Sequence, residues 1–101
     1  MTAVVSPQLL KVLTDLTGEI HLDSALRIVT QDAIAHRLAS LAKQLQTLEQ
    51  KYGMSFEQFD TRFQAEAVPN QYSYEVEQDY LEWEGLLCRK RRLQEVRDWL
   101  R

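Results

Sequence analysis

"LDSALRIVTQDAIAHRLASLAKQLQTLEQKYG", residues 22–53, contains no proline and no glycine until its last position. It is rich in Ala, Leu, Gln and Lys, residues that lose little conformational freedom in a helix. Ile34, Leu38, Leu41, Leu45, Leu48 and Tyr52 recur in alternating steps of four and three. That spacing lays one apolar seam along a helix and predicts a lengthwise contact with another helix at a shallow angle. Gly53 is placed to end the helix in a left-handed cap. The stretch therefore predicts a long helix in an all-α hairpin or bundle.

The flanking segments carry their own helix signals. In "SPQLLKVLTDLTG" (6–18), Ser6 reads as an N-cap, Pro7 as the first helical residue and Gly18 as the stop. Leu9, Leu13 and Leu16 give that short helix one apolar side. "EIHLD" (19–23) reads as a link, with Asp23 positioned to cap the long helix. "MSFEQFDTRF" (54–63) pairs Ser55 with Gln58 as a capping box, and Met54 can staple onto Phe59. Phe56, Phe59 and Phe63 share one face and read as core. "AVPNQYS" (67–73) is the one expected hinge, because Pro69 disfavours helix at Val68 and Asn70 favours a turn. Ser73 then caps a last helix running from Tyr74 to near Trp99. The plan is one domain over residues 1–101 with four helices: short, long, short, long.

The last helix opens on "YEVEQDYLEWE" (74–84), five acids without a base, and continues through Arg89, Lys90, Arg91 and Arg92. At about 100° per residue, Val76, Tyr80, Trp83 and Leu87 form one stripe. Glu77 and Glu84 border it on one side and Asp79 on the other, while Glu75 and Glu82 point farther away. The carboxylates thus frame an aromatic ridge and do not converge as a pair for acid–base chemistry must. Beyond Gly85 the apolar positions Leu86, Leu93, Val96, Trp99 and Leu100 fall largely on another side. This predicts either a bend near Gly85 or a second contact, such as a twin subunit. Acids first and bases later also suit the helix dipole.

Composition narrows the function classes. The 101 residues are 45% apolar and 27% charged, with a formal charge of −3, which gives no overall pull toward nucleic acid or anionic membrane. Cys88 is the only cysteine, so no intrachain disulfide is possible, and a reducing cytoplasm is expected. The stretch "MTAVVSPQLLKVL" lacks a basic start and a long apolar core, so no leader is expected, and no apolar run approaches the ~20 residues that span a bilayer, so no membrane association is expected. Asp32 and His36 stand one turn apart, half of a metal site, but no second pair completes it, and no metal or cofactor is expected. Cys88 beside Arg89 and Lys90 reads as a small hydrophobe and not a nucleophile. "VTQDAIAHRLAS" (29–40) echoes the first helix of a helix-turn-helix, yet no turn follows it. The alternative reading, a small nucleic-acid-associated regulator, rests on Arg89 to Arg92, four bases that form a collar around the helix.

The run from Leu22 to Phe63 followed by "YEVEQDYLEWE" resembles small helical bacterial and archaeal proteins of antitoxin type, over roughly residues 22–87. The resemblance implies the partner-binding half of a two-gene module, with no catalytic residues, that neutralises a small basic toxin-like protein. The N-terminal helix and the "CRKRRLQEVRDWLR" tail lie outside it. Tyr and Trp are favoured interface anchors and surrounding acids complement a basic partner. The expected contact set is therefore Glu75, Glu77, Asp79, Tyr80, Trp83 and Glu84, on a non-enzymatic, homodimeric protein. On ordinary amphipathicity Tyr80 and Trp83 read first as core, including the core of a homodimer, and a homodimeric bundle without such a partner is a further reading.

Overall fold

The computed structural model describes residues 5–100; residues 1–4, the beginning of the stretch read for a leader, and residue 101 lie outside the described residues. Four helices follow one another: α1 (Pro7–Thr17), α2 (Leu22–Tyr52), α3 (Phe56–Gln64) and α4 (Tyr74–Leu100). The short–long–short–long plan is the one the sequence predicts. α2 and α4 pack antiparallel as a long hairpin: Lys51 meets Glu75 and Asp79 at one end. At the other, Arg27 Nη1 donates to the Leu100 carbonyl at 3.0 Å. α1 packs on α2, and α3 on α4 beside the connection. The molecule measures 58 × 29 × 22 Å, with a radius of gyration of 19.7 Å. A compact domain of this length has about 13 Å, so the hairpin is a rod.

The local signals act as read. Ser6 Oγ accepts from Leu9 N–H at 3.2 Å, and Gly18 and Gly53 both take left-handed φ values, 74° and 67°. Ser55 and Gln58 form the reciprocal capping box, and Ser73 Oγ accepts from Val76 N–H at 3.3 Å to start α4. One cap differs. His21, not Asp23, is the residue before α2, and it makes no side-chain cap bond. Asp23 sits inside the first turn, where it favours the positive end of the dipole and lies 3.7 Å from Arg27.

Of the α2 seam, Ile34, Leu41, Leu45 and Leu48 are buried, while Leu38 and Tyr52 are half-buried. The main core is concentrated at the connection end: Leu45, Leu48, Phe59, Val68, Val76 and Trp83 cluster there, flanked by Tyr52, Met54, Phe56, Phe63, Tyr80, Leu86 and Leu87. α1 differs from expectation, because only Leu13 is buried; Leu9 and Leu16 stay exposed.

The expected hinge is a pinned turn. Glu66 and Asn70 adopt positive φ, 56° and 55°, while Val68 and Gln71 are buried. The Gln71 side chain donates to the Phe63 carbonyl at 2.7 Å and accepts from Val68 N–H at 3.3 Å. It thereby satisfies backbone groups that α3 and the turn leave open. Nor does α4 break at Gly85; it is one helix from 74 to 100. Its inner side passes from Val76, Tyr80 and Trp83 to Leu86, Leu87, Lys90, Leu93, Gln94 and Arg97, all half-buried in the second stretch. Polar side chains carry that second stretch by laying their stems inward. The apolar pattern shifts face because of this change in residue type, and the helix contact itself continues.

Candidate functional site

Charge is segregated along the rod. Residues 49–84, which build the connection end, hold nine acids against two bases; the rest of the chain holds six acids against ten bases. The hairpin therefore has an acidic head built from the end of α2, α3, the turn and the start of α4. The six residues expected to meet a partner all lie on this head, but they divide into two groups.

Trp83, Tyr80 and Asp79 point inward. Trp83 is 1% exposed, and its ring centroid lies 5.2 Å from Phe59, 5.4 Å from Phe56 and 6.0 Å from Tyr52. The reading of Trp83 as a partner anchor is thus corrected to core, because α3 and the seam of α2 cover the ridge. Tyr80 stacks on Phe63 at 4.4 Å and donates its hydroxyl to Asp60 Oδ1 at 2.6 Å. This bond raises the Tyr80 pKa and lowers that of Asp60. Asp79 accepts from Lys51 Nζ at 2.6 Å and from the Tyr52 hydroxyl, with 14% of its side chain exposed. Burial pushes the Asp79 carboxyl up, but the bonds from Lys51 and Tyr52 outweigh it and hold the group below the usual carboxylate range. Tyr52 is pushed up to about 12 by burial first and by its bond to Asp79 second.

Glu75, Glu77 and Glu84 point outward. Glu75 is 72% exposed and shares Lys51 with Asp79 at 2.7 Å. Glu77, Glu82 and Glu84 are exposed, and no ion pair forms to them within the chain among the described residues. Tyr72 and Tyr74 flank them, 71% and 78% exposed. This surface is an acidic, partly aromatic face. Such a face can attract and orient a basic macromolecule; the two carboxylates that converge on it, Glu75 and Asp79, meet on Lys51 Nζ.

The basic collar is divided too. Arg89 and Arg91 are exposed, Arg92 pairs with Glu95 at 3.3 Å, and Lys90 is half-buried. Asp32 and His36 are both exposed, and no cluster of three or more His, Cys, Asp or Glu side chains able to hold a metal occurs among the described residues. No described helix is long and apolar enough to cross a membrane.

Reading along the chain missed the Lys51–Tyr52–Asp79 network and the Tyr80–Asp60 bond. The signal was present as Glu75 and Asp79 one turn apart, beside a Lys–Tyr pair at the end of the long helix. Only the hairpin register brings the two together.

A family model described as "Uncharacterized protein MJ0235 family" matches residues 8–100. The match takes in α1 and the basic stretch of α4, which the antitoxin resemblance left out, and the description names neither a reaction nor a partner. No curated protein and no solved structure matches the chain.

Proposed function

We propose that this chain, which belongs to the MJ0235 family, is a non-enzymatic interaction module that binds a small basic protein through its acidic head, in the manner of an antitoxin. One observation carries the reading: nine acids against two bases in residues 49–84, with Glu77, Glu82 and Glu84 exposed and unpaired. Unpaired surface carboxylates repel one another, and a cationic partner relieves that repulsion while gaining on-rate from the field. The contact face comprises Glu75, Glu77 and Glu84 with Tyr74. Asp79, Tyr80 and Trp83 hold the helix behind it.

The test is co-expression with the product of the adjacent gene, followed by co-purification. A stoichiometric complex is expected, weakened at least tenfold in Glu77→Lys/Glu84→Lys, since like-charge contacts at an interface cost several kcal/mol. Absence of any complex with neighbour-encoded proteins overturns the proposal. Salt-sensitive retention on DNA, lost when Arg89, Lys90, Arg91 and Arg92 become Ala, points instead to the nucleic-acid reading.

A further inference from the structure

The outer side of α4 carries a second periodic pattern, diametrically opposite Trp83. Tyr74, Gln78, Leu81, Gly85, Cys88, Arg92, Glu95 and Trp99 follow in alternating steps of four and three, and every one is exposed. Tyr74, Leu81 and Trp99 are 78%, 59% and 82% exposed, large apolar groups a monomer has no reason to align. Gly85 has open space around it, so a second helix can approach closely at mid-length.

The pattern is self-complementary in one orientation. Turn a second α4 antiparallel about a two-fold axis between residues 86 and 87. Tyr74 then falls opposite Trp99, Gln78 opposite Glu95, Leu81 opposite the stem of Arg92, and Gly85 opposite Cys88. These are the mixed layers of an antiparallel two-helix seam. On the flanks, Glu84 falls opposite Arg91 and Glu82 opposite Arg89, so two-fold symmetry produces four ion pairs around the centre. None of those four side chains makes an ion pair within its own chain among the described residues. The outermost flank matches less well: Glu77 would lie near Asp98 of the second copy, with Arg97 3.4 Å from that Asp98. A parallel pairing would instead set Arg92 on Arg92 and Glu95 on Glu95.

We infer that the outer face of α4 is a homodimer interface, occupied by a second copy of this chain in antiparallel register. Exposed area agrees: the chain shows 7748 Å² to solvent, whereas a compact monomer of its mass shows about 5,900 Å². An isologous seam about 37 Å long is of the size that standard interfaces use. This inference rests on the pattern of α4 and not on the partner reading; the two compete for Tyr74, Glu82 and Glu84, so a second copy on this face leaves the exposed Glu75 and Glu77 to a basic partner.

Two charge-reversed variants test it, both at exposed positions. Glu82→Arg/Glu84→Arg and Arg89→Glu/Arg91→Glu each place like charges across the axis. Light scattering should give the wild type a mass about twice 11.8 kDa, and each variant alone the monomer mass. An equimolar mixture should restore the dimer mass, because each variant supplies the charges the other lacks. Circular dichroism equal to wild type shows that both are folded. Register is read with Cys88→Ser as background: Tyr74→Cys and Trp99→Cys should cross-link when mixed, and neither should cross-link alone. A monomeric wild type, variants that stay dimeric, a mixture that stays monomeric, or cross-linking of Tyr74→Cys to itself each overturns the inference.

Discussion

Trp83→Ala is expected to destabilise the protein by about 3–5 kcal/mol. Trp83 is 1% exposed and touches three aromatic rings contributed by α2 and α3. Removing the indole opens a cavity that those rings, anchored on two other helices, fill only in part. Against a usual total stability of about 5–15 kcal/mol, the loss is large, and urea unfolding at constant slope measures it. Phe59 is 0% exposed and 5.2 Å from Trp83, so the two act as one unit. Phe59→Ala alone should cost a similar amount, and the double variant less than the sum, by about 0.5–3 kcal/mol of coupling. If Trp83→Ala left stability within about 0.5 kcal/mol, as surface substitutions do, the placement of α3 over α4 would be wrong.

Asp79→Ala is the second large effect, about 2–3 kcal/mol. The substitution leaves the half-buried Tyr52 hydroxyl without its acceptor and takes from Lys51 its 2.6 Å partner. Glu75, 72% exposed, replaces that partner poorly. The effect depends on pH in a defined sense. The Asp79 pKa is depressed on folding, so its contribution is complete above the ordinary carboxylate value of about 4 and is lost as pH falls through the folded value. Tyr52 titrates the other way. Raised to about 12, its contribution is complete below the ordinary phenol value of about 10 and fades as pH rises toward 12. Denaturant midpoints across acid, neutral and alkaline buffers should therefore fall at both extremes in the wild type. In Asp79→Ala the Asp79 part of the acid fall should vanish and the Tyr52 part of the alkaline fall should shrink, leaving the share that burial of the phenol sets. A variant that kept both falls undiminished would contradict the network.

The helices were legible because their signals are local. Pro7, Gly18, Gly53 and the Ser55–Gln58 box lie within a few residues of the boundaries they set, and the α2 seam needs only its own spacing. What was not legible depends on which element covers which. The acids of 74–84 could be placed around a helix, but whether Trp83 faced water or core turned on α3, whose docking no helical wheel contains. Gln71 is a polar residue within a turn, and its burial follows from the backbone groups of Phe63 and Val68 that its side chain satisfies. The apparent change of face in α4 came from counting only apolar residues. Lys90, Gln94 and Arg97 continue the contact with their stems, a contribution that hydrophobic patterning does not register.

The concentration of the core at one end has a consequence for how the rod opens. Leu45, Leu48, Phe59, Val68, Val76 and Trp83 lock the connection end, whereas at the other end the side-chain hydrogen bond between α2 and α4 among the described residues is the exposed one from Arg27 to the Leu100 carbonyl. Opening free energy should therefore rise along the length of the hairpin. Amide hydrogen exchange would show it as a gradient. The N–H groups of α2 before Ile34 and of α4 beyond Leu93 should exchange through partial opening. Those around Leu48 and Trp83 should wait for global unfolding. The molecule is then a clasp that loosens from its free ends while its connected end stays shut.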